Sequence, residues 1–90
     1  MRIGIGITTR NRPELIVAVA EAFRRYRPAG SHVVIVDDAS SEPPRGHLLE
    51  DGDIYYRNAD RKGIARSKNR CLLELGDCDY YFLFDDDCYP

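Results

Sequence analysis

The stretch His32-Val33-Val34-Ile35-Val36-Asp37-Asp38-Ala39-Ser40 decides how this chain of 90 residues is read. Val33 to Val36 are β-branched without a break and without polar alternation. The run is too short for a helix, so it predicts a strand buried on both faces, as in a parallel sheet. Parallel neighbours require crossover connections, usually helical. Both flanks supply them.

On the N-terminal side, Pro28-Ala29-Gly30 stops a helix. Leu15, Ile16, Val19, Phe23 and Tyr26 recur at helical spacing before that stop. Pro13 suits the first helical position. Arg24, Arg25 and Arg27 suit the negative end of the helix dipole. The spacing predicts a helix over Pro13 to Tyr26. Ahead of it, Ile3-Gly4-Ile5-Gly6-Ile7-Thr8 alternates strictly and predicts a first strand, isoleucines on one face and glycines on the other. Strand glycines mark a close approach by another backbone or a ligand. Thr9-Arg10-Asn11-Arg12 forms a polar loop between them.

On the C-terminal side, a loop from Asp38 to Pro44 leads to a short helix predicted over Arg45 to Glu50. Ile54-Tyr55-Tyr56-Arg57 predicts a third strand. Gly63 to Leu75 predicts a second long helix with Ile64, Cys71, Leu72 and Leu75 on its buried side. Tyr80-Tyr81-Phe82-Leu83-Phe84 predicts a fourth strand, buried by composition, that ends in Asp85-Asp86-Asp87. Strands alternating with helices imply one α/β domain over 1–90, a parallel sheet flanked by helices on both faces. Ligands of such sheets lie at the carboxyl ends of the strands. Thr8-Thr9, Asp37-Asp38 and Asp85 to Asp87 all fall there.

Composition narrows the function classes. A formal net charge of -2 argues against a dedicated nucleic-acid binder. The apolar runs are too short to cross a bilayer. No basic segment followed by an apolar core opens the chain, so no signal peptide is expected. The 3 cysteines form no C-x-x-C pair, and an odd count fits a reducing cytoplasm better than a disulfide framework. Cys71 falls on an apolar helix face and reads as core. His32 and His47 lack metal-ligand spacing.

Four clusters carry chemistry. Asp85-Asp86-Asp87 places three carboxylates side by side, a repulsive arrangement that a divalent cation such as Mg²⁺ or Mn²⁺ relieves. The bland alternative is an acidic turn. Asp37-Asp38-Ala39-Ser40 places acids where nucleotide folds bind ribose or base, or where an Asx turn caps the next segment. Arg61-Lys62-Gly63 leads into a helix whose N-terminus attracts anions, with Arg66 and Lys68 adding positive charge. Arg61 and Arg70 read better as solubilising charges. Thr8-Thr9-Arg10-Asn11 offers hydroxyls and backbone groups at the first strand end.

Together these residues resemble the glycosyltransferases of family 2, with the GT-A fold. That family opens with a strand and a pattern like T-Y-N-R, and here Thr9-Arg10-Asn11-Arg12 is similar. Its second strand ends in D-D-x-S, matched by Asp37-Asp38-Ala39-Ser40. A later helix carries G-x-x-x-A-R-N, and Gly63 to Asn69 is similar, with Ser67 and Lys68 replacing Ala and Arg. Its D-x-D follows the fourth strand, and Asp85-Asp86-Asp87 contains it.

The resemblance implies a Rossmann-like GT-A nucleotide-binding half, a parallel sheet of about four strands flanked by helices, ending after the D-x-D strand. It implies Asp38 as the acid that recognises the base, with Asp37 supporting it or the ribose. It implies Thr8 and Thr9 in the nucleoside pocket. Arg10 stands where the family has an aromatic. Arg66 or Lys68 would approach base or diphosphate. Asp87 resembles the strongest metal ligand, while Asp85 or Asp86 would touch ribose or metal. The implied reaction moves a sugar from a nucleotide-diphospho-sugar (UDP-, GDP- or dTDP-linked) to an acceptor hydroxyl, with Mn²⁺ or Mg²⁺ and with inversion. The base that deprotonates the acceptor is expected beyond Pro90, so the 90 residues alone are expected to be inactive.

A non-catalytic truncated or split nucleotide-binding module that needs a partner chain stands as the alternative. A sugar-phosphate nucleotidyltransferase is weaker, because Gly4 and Gly6 alternate inside the strand rather than forming a phosphate loop after it. No G-x-G-x-x-G opens the first helix, which removes a dinucleotide fold. The aspartate pair follows the second strand, not the first as in a phospho-receiver domain.

Overall fold

The computed structural model describes residues 1–41 and 53–85. It holds β1 (Ile3–Thr9), α1 (Pro13–Tyr26), β2 (Ser31–Asp37), β3 (Ile54–Arg57), α2 (Ile64–Leu75) and β4 (Tyr80–Asp85). The helix expected over Arg45 to Glu50 lies outside the described residues, as do Asp86 and Asp87.

The four strands form one parallel sheet in the order β3-β2-β1-β4. The chain steps outward from β1 through β2 to β3, then crosses back to pair β4 with the free side of β1. Right-handed crossovers in opposite directions put their helices on opposite faces. α1 therefore covers one face and α2 the other. The reversal of direction falls between β1 and β4, and crevices of this topology open there.

On the first face, Ile5 and Ile7 of β1 meet Val33 and Ile35 of β2 beneath Ile16, Val19, Ala20 and Phe23 of α1. Each large side chain buried there contributes about 1.5–3 kcal/mol. α1 starts at Pro13 and ends at Arg27, whose backbone turns extended while its N–H donates to the Phe23 carbonyl at 2.8 Å. The Phe23 and Phe84 rings lie 5.1 Å apart and tie α1 to β4. Arg27 also pairs with Asp53 at 2.5 Å, and Asp53 accepts the Val33 N–H at 2.9 Å, which fixes the entry to β3.

The second face explains the glycines of β1. A Cβ on Gly6 would lie 2.7 Å from the Cys71 Cβ, and one on Gly4 would lie 2.9 Å from the Cys78 Sγ. The close approach is made by α2 and the turn after it. Val34, Val36, Cys71 and Leu75 form the core of this face. Cys71 is core, as its position predicts, and desolvation pushes its thiol up to about 11.

Two expectations of burial are corrected. Ile64 and Leu72 are 66% and 38% exposed, and the buried row of α2 is Ser67, Cys71 and Leu75. That row recurs every fourth residue and fits the channel left by Gly4 and Gly6, which turns Ile64 and Leu72 outward. β4 is also not buried: Tyr80 to Phe82 are 42–55% exposed and Leu83 is 36% exposed. β4 is an edge strand, paired to β1 alone among the described residues. Composition reports apolar character, whereas burial depends on having cover on both sides. Among the described residues no helix is long and apolar enough to cross a membrane.

Candidate functional site

The carboxyl ends of β1, β2 and β4 surround a cleft of about 340 Å³ lined by Thr8, Thr9, Arg10, Arg12, Asp38, Arg61, Gly63, Ile64, Ser67 and Asp85. That volume is within the range of small-molecule sites. A second hollow of about 230 Å³, between α1 and β4, is lined by Ile3, Phe23, Tyr26 and Phe82 among others. It offers almost no polar group, so the chemistry belongs to the cleft.

The floor of the cleft is Asp38. Its Oδ1 accepts the Lys62 N–H at 2.6 Å and the Asn58 side-chain amide at 2.9 Å; its Oδ2 accepts the Gly63 N–H at 2.9 Å. Gly63 adopts φ 90, a left-handed conformation that favours glycine, and stands at the N-cap of α2. The chain thus sets a carboxylate of its own beside this helix N-terminus. Desolvation raises the pKa of Asp38. The two backbone N–H groups, the Asn58 amide and the charge of Arg61 outweigh it and hold the carboxyl below its ordinary 3.8. Asn58 also reaches the Ser67 hydroxyl at 3.2 Å, so β3, α2 and Asp38 share one buried network.

Asp37 sits behind the floor and does not line the cleft. It is 1% exposed, and its Oδ1 accepts the Ser40 N–H at 3.0 Å and the Ser40 hydroxyl. Its Oδ2 accepts the Tyr55 hydroxyl. Burial, then the bond to Asp37 and its charge, push the Tyr55 phenol well above its ordinary value. Asp37 thus braces the turn that presents Asp38. Asn11 completes the brace: its N–H donates to the Ser40 hydroxyl at 2.7 Å and its Oδ1 accepts the Ser41 N–H at 2.7 Å. Asn11 does this at φ 54, a conformation asparagine tolerates better than most residues. The loops after β1 and β2 are latched together by the residues that stood out in their motifs.

Across the cleft, Asp85 is register partner to Thr8, whose hydroxyl donates to Asp85 Oδ1 at 3.2 Å. Lys68 Nζ lies 3.4 Å from the same oxygen. The Asp85 side chain is 48% exposed, and the pair is open to solvent. Asp85 therefore keeps carboxylate oxygen available to a ligand. Among the described residues no group of three or more His, Cys, Asp or Glu gathers into a metal cage. A hard divalent cation that takes only one or two carboxylates and fills its shell with phosphate and water suits such a site.

Thr8, Thr9, Arg10, Asp38 and Asp85 thus meet around one space. Lys68 reaches it through Asp85. Arg66 is exposed on α2 outside the lining. Asp86 and Asp87 lie outside the described residues. Sequence reasoning passed over Arg12, Asn58 and Ser67, and read Arg61 as a solubilising charge. Ser67 carried a signal: it stands four residues before Cys71 on an otherwise apolar row.

The Glycosyl transferase family 2 profile matches residues 5–90, and the chain belongs to that family. No curated protein sequence matches the chain.

Proposed function

We propose that this family 2 glycosyltransferase chain supplies the donor-binding half of a metal-dependent transfer from a nucleotide-diphospho-sugar to an acceptor hydroxyl. The observation that carries this reading is the cleft where β1 and β4 part. There a buried, ionised Asp38 faces a solvent-open Asp85 across arginines and threonines. Nucleoside and diphosphate need those two chemistries side by side.

In this reading the base sits over Thr8 and Thr9 and donates an N–H to Asp38 Oδ2, which accepts one of its three protein hydrogen bonds. Asp37 and Asn11 hold that carboxylate in place through Ser40. Asp85 would hold the metal, together with Asp87 as the family pattern implies. The sequence offers nearby Asp86 for ribose or metal. A bound Mn²⁺ or Mg²⁺ would supply Lewis-acid neutralisation of the departing diphosphate. Lys68 shifts from Asp85 toward phosphate when the cleft fills. Transfer with inversion breaks the bond between anomeric carbon and diphosphate oxygen while the acceptor oxygen attacks from the opposite face. That attack needs a general base. In this reading Asp38 takes the nucleoside and Asp85 the metal, so neither is the base, and turnover needs a further segment or a partner chain to supply it. A cytoplasmic setting belongs to the same reading and rests on the odd cysteine count.

Calorimetric titration with UDP, GDP, dTDP and CDP, each with Mn²⁺ and with EDTA, tests this reading. One nucleotide should bind at least about tenfold more tightly with Mn²⁺, or about 1.4 kcal/mol. A folded sample that binds none of the four would refute it.

A further inference from the structure

The phosphates of the proposed donor need a counter-charge. At the entry to α2, Asp38 accepts the N–H groups of Lys62 and Gly63 and adds negative charge of its own there. Asp85 is matched by Thr8 and Lys68. Both acids of the described lining thus have protein partners, Asp85 the looser ones. Arg10, Arg12 and Arg61 line the same space, and all three are exposed. They come from two walls: Arg10 and Arg12 from the loop after β1, Arg61 from the loop before α2. Arg61 is near enough to Asp38 for its charge to stabilise that carboxylate. Two separate loops thus bring arginine to the space a phosphate would enter. Guanidinium is the side chain best shaped to grip phosphate oxygens in pairs.

We propose that Arg10 and Arg61 form a diphosphate clamp that binds the two phosphates without any metal. The inference rests on the donor-site reading and adds to it a separate contribution to affinity. A metal would be held through Asp85, and the clamp would supply its charge from Arg10 and Arg61. Arg10 thus gives phosphate contact at the position where the family pattern has an aromatic.

Inorganic pyrophosphate in EDTA is the probe, because it carries the phosphates without base, sugar or metal. Calorimetry on the full chain should show binding that weakens severalfold when salt rises from about 50 to 200 mM, as phosphate contacts dictate. Arg10→Ala with Arg61→Ala should weaken it at least about tenfold. Arg25→Ala, which removes the same charge from the exposed end of α1, should leave it unchanged. The clamp is refuted if pyrophosphate fails to bind in EDTA, if the double variant binds like the parent, or if Arg25→Ala weakens binding as much. A nucleoside diphosphate with Mn²⁺ is titrated alongside. If it binds while the clamp fails, the donor site stands and only the clamp falls. If it does not bind either, both fall.

Discussion

The carboxyl ends of β2 and β4 carry the same sequence signal, adjacent aspartates after an apolar strand, and the fold uses them in opposite ways. At the end of β2, Asp37 and Asp38 are 1% and 6% exposed, and protein donors engage all four of their carboxylate oxygens. At the end of β4, Asp85 is half exposed and loosely paired. The difference follows from position in the sheet. β2 is flanked by β1 and β3, so three loops converge on its end. β4 pairs with β1 alone among the described residues. Carboxylates at the interior strand end are held in place by the scaffold, whereas the one at the edge strand end keeps an oxygen open to solvent.

The contrast is broken most forcefully at Asp38. Asp38→Ala removes the acceptor for Asn58, Lys62 and Gly63. At about 1 kcal/mol or more for each donor left behind, urea denaturation should show a loss of about 3 kcal/mol. The same network sets a pH limb. The folded pKa of Asp38 lies below its unfolded value, so its stabilisation is present above the ordinary 3.8 and disappears as pH falls through the folded value. Acid titration of the parent should show this loss below pH 3.8, and Asp38→Asn should flatten that limb.

Asn11 gives a smaller effect. Asn11→Ala loses the bond to Ser41 and puts alanine at φ 54. Together these should cost about 1–2 kcal/mol in the same denaturation experiment. A cost near zero would mean that the latch between the two loops does not bear on stability.

The smallest stability effect belongs to the edge. Asp85→Asn keeps an acceptor for Thr8 and gives up a solvent-open ion pair. Its stability should stay within about 0.5 kcal/mol of the parent. A loss as large as that of Asp38→Ala would erase the distinction between the two strand ends.

Much of this fold is legible in the sequence because it rests on local patterns. Val33 to Val36 could only be a buried strand, the alternation of Ile3 to Ile7 sorted its two faces, and Pro13 and Gly30 bounded α1. What escapes is set by neighbours distant in the chain. Ile64 and Leu72 turn outward because the glycine channel of β1 selects the Ser67 row. Tyr80 to Leu83 are apolar yet exposed because β4 is at an edge. The site divides the same way. Strand ends brought Thr8, Asp38 and Asp85 together on paper. Asn58 and Ser67 hold Asp38 through contacts that exist only once β3, α2 and the loop after β2 have packed. Asp37 looks identical to Asp38 in sequence, and only the reach of Tyr55 and Ser40 separates their roles.

The central claim is that the Asp85 side of the cleft is the metal-binding end. Its most direct test is to titrate Asp85→Asn with the nucleoside diphosphate the parent binds best, once with Mn²⁺ and once with EDTA. The account predicts a folded protein whose affinity no longer rises with Mn²⁺, with the binding seen in EDTA retained. A variant that still gains the parent's full increment from Mn²⁺ would contradict it.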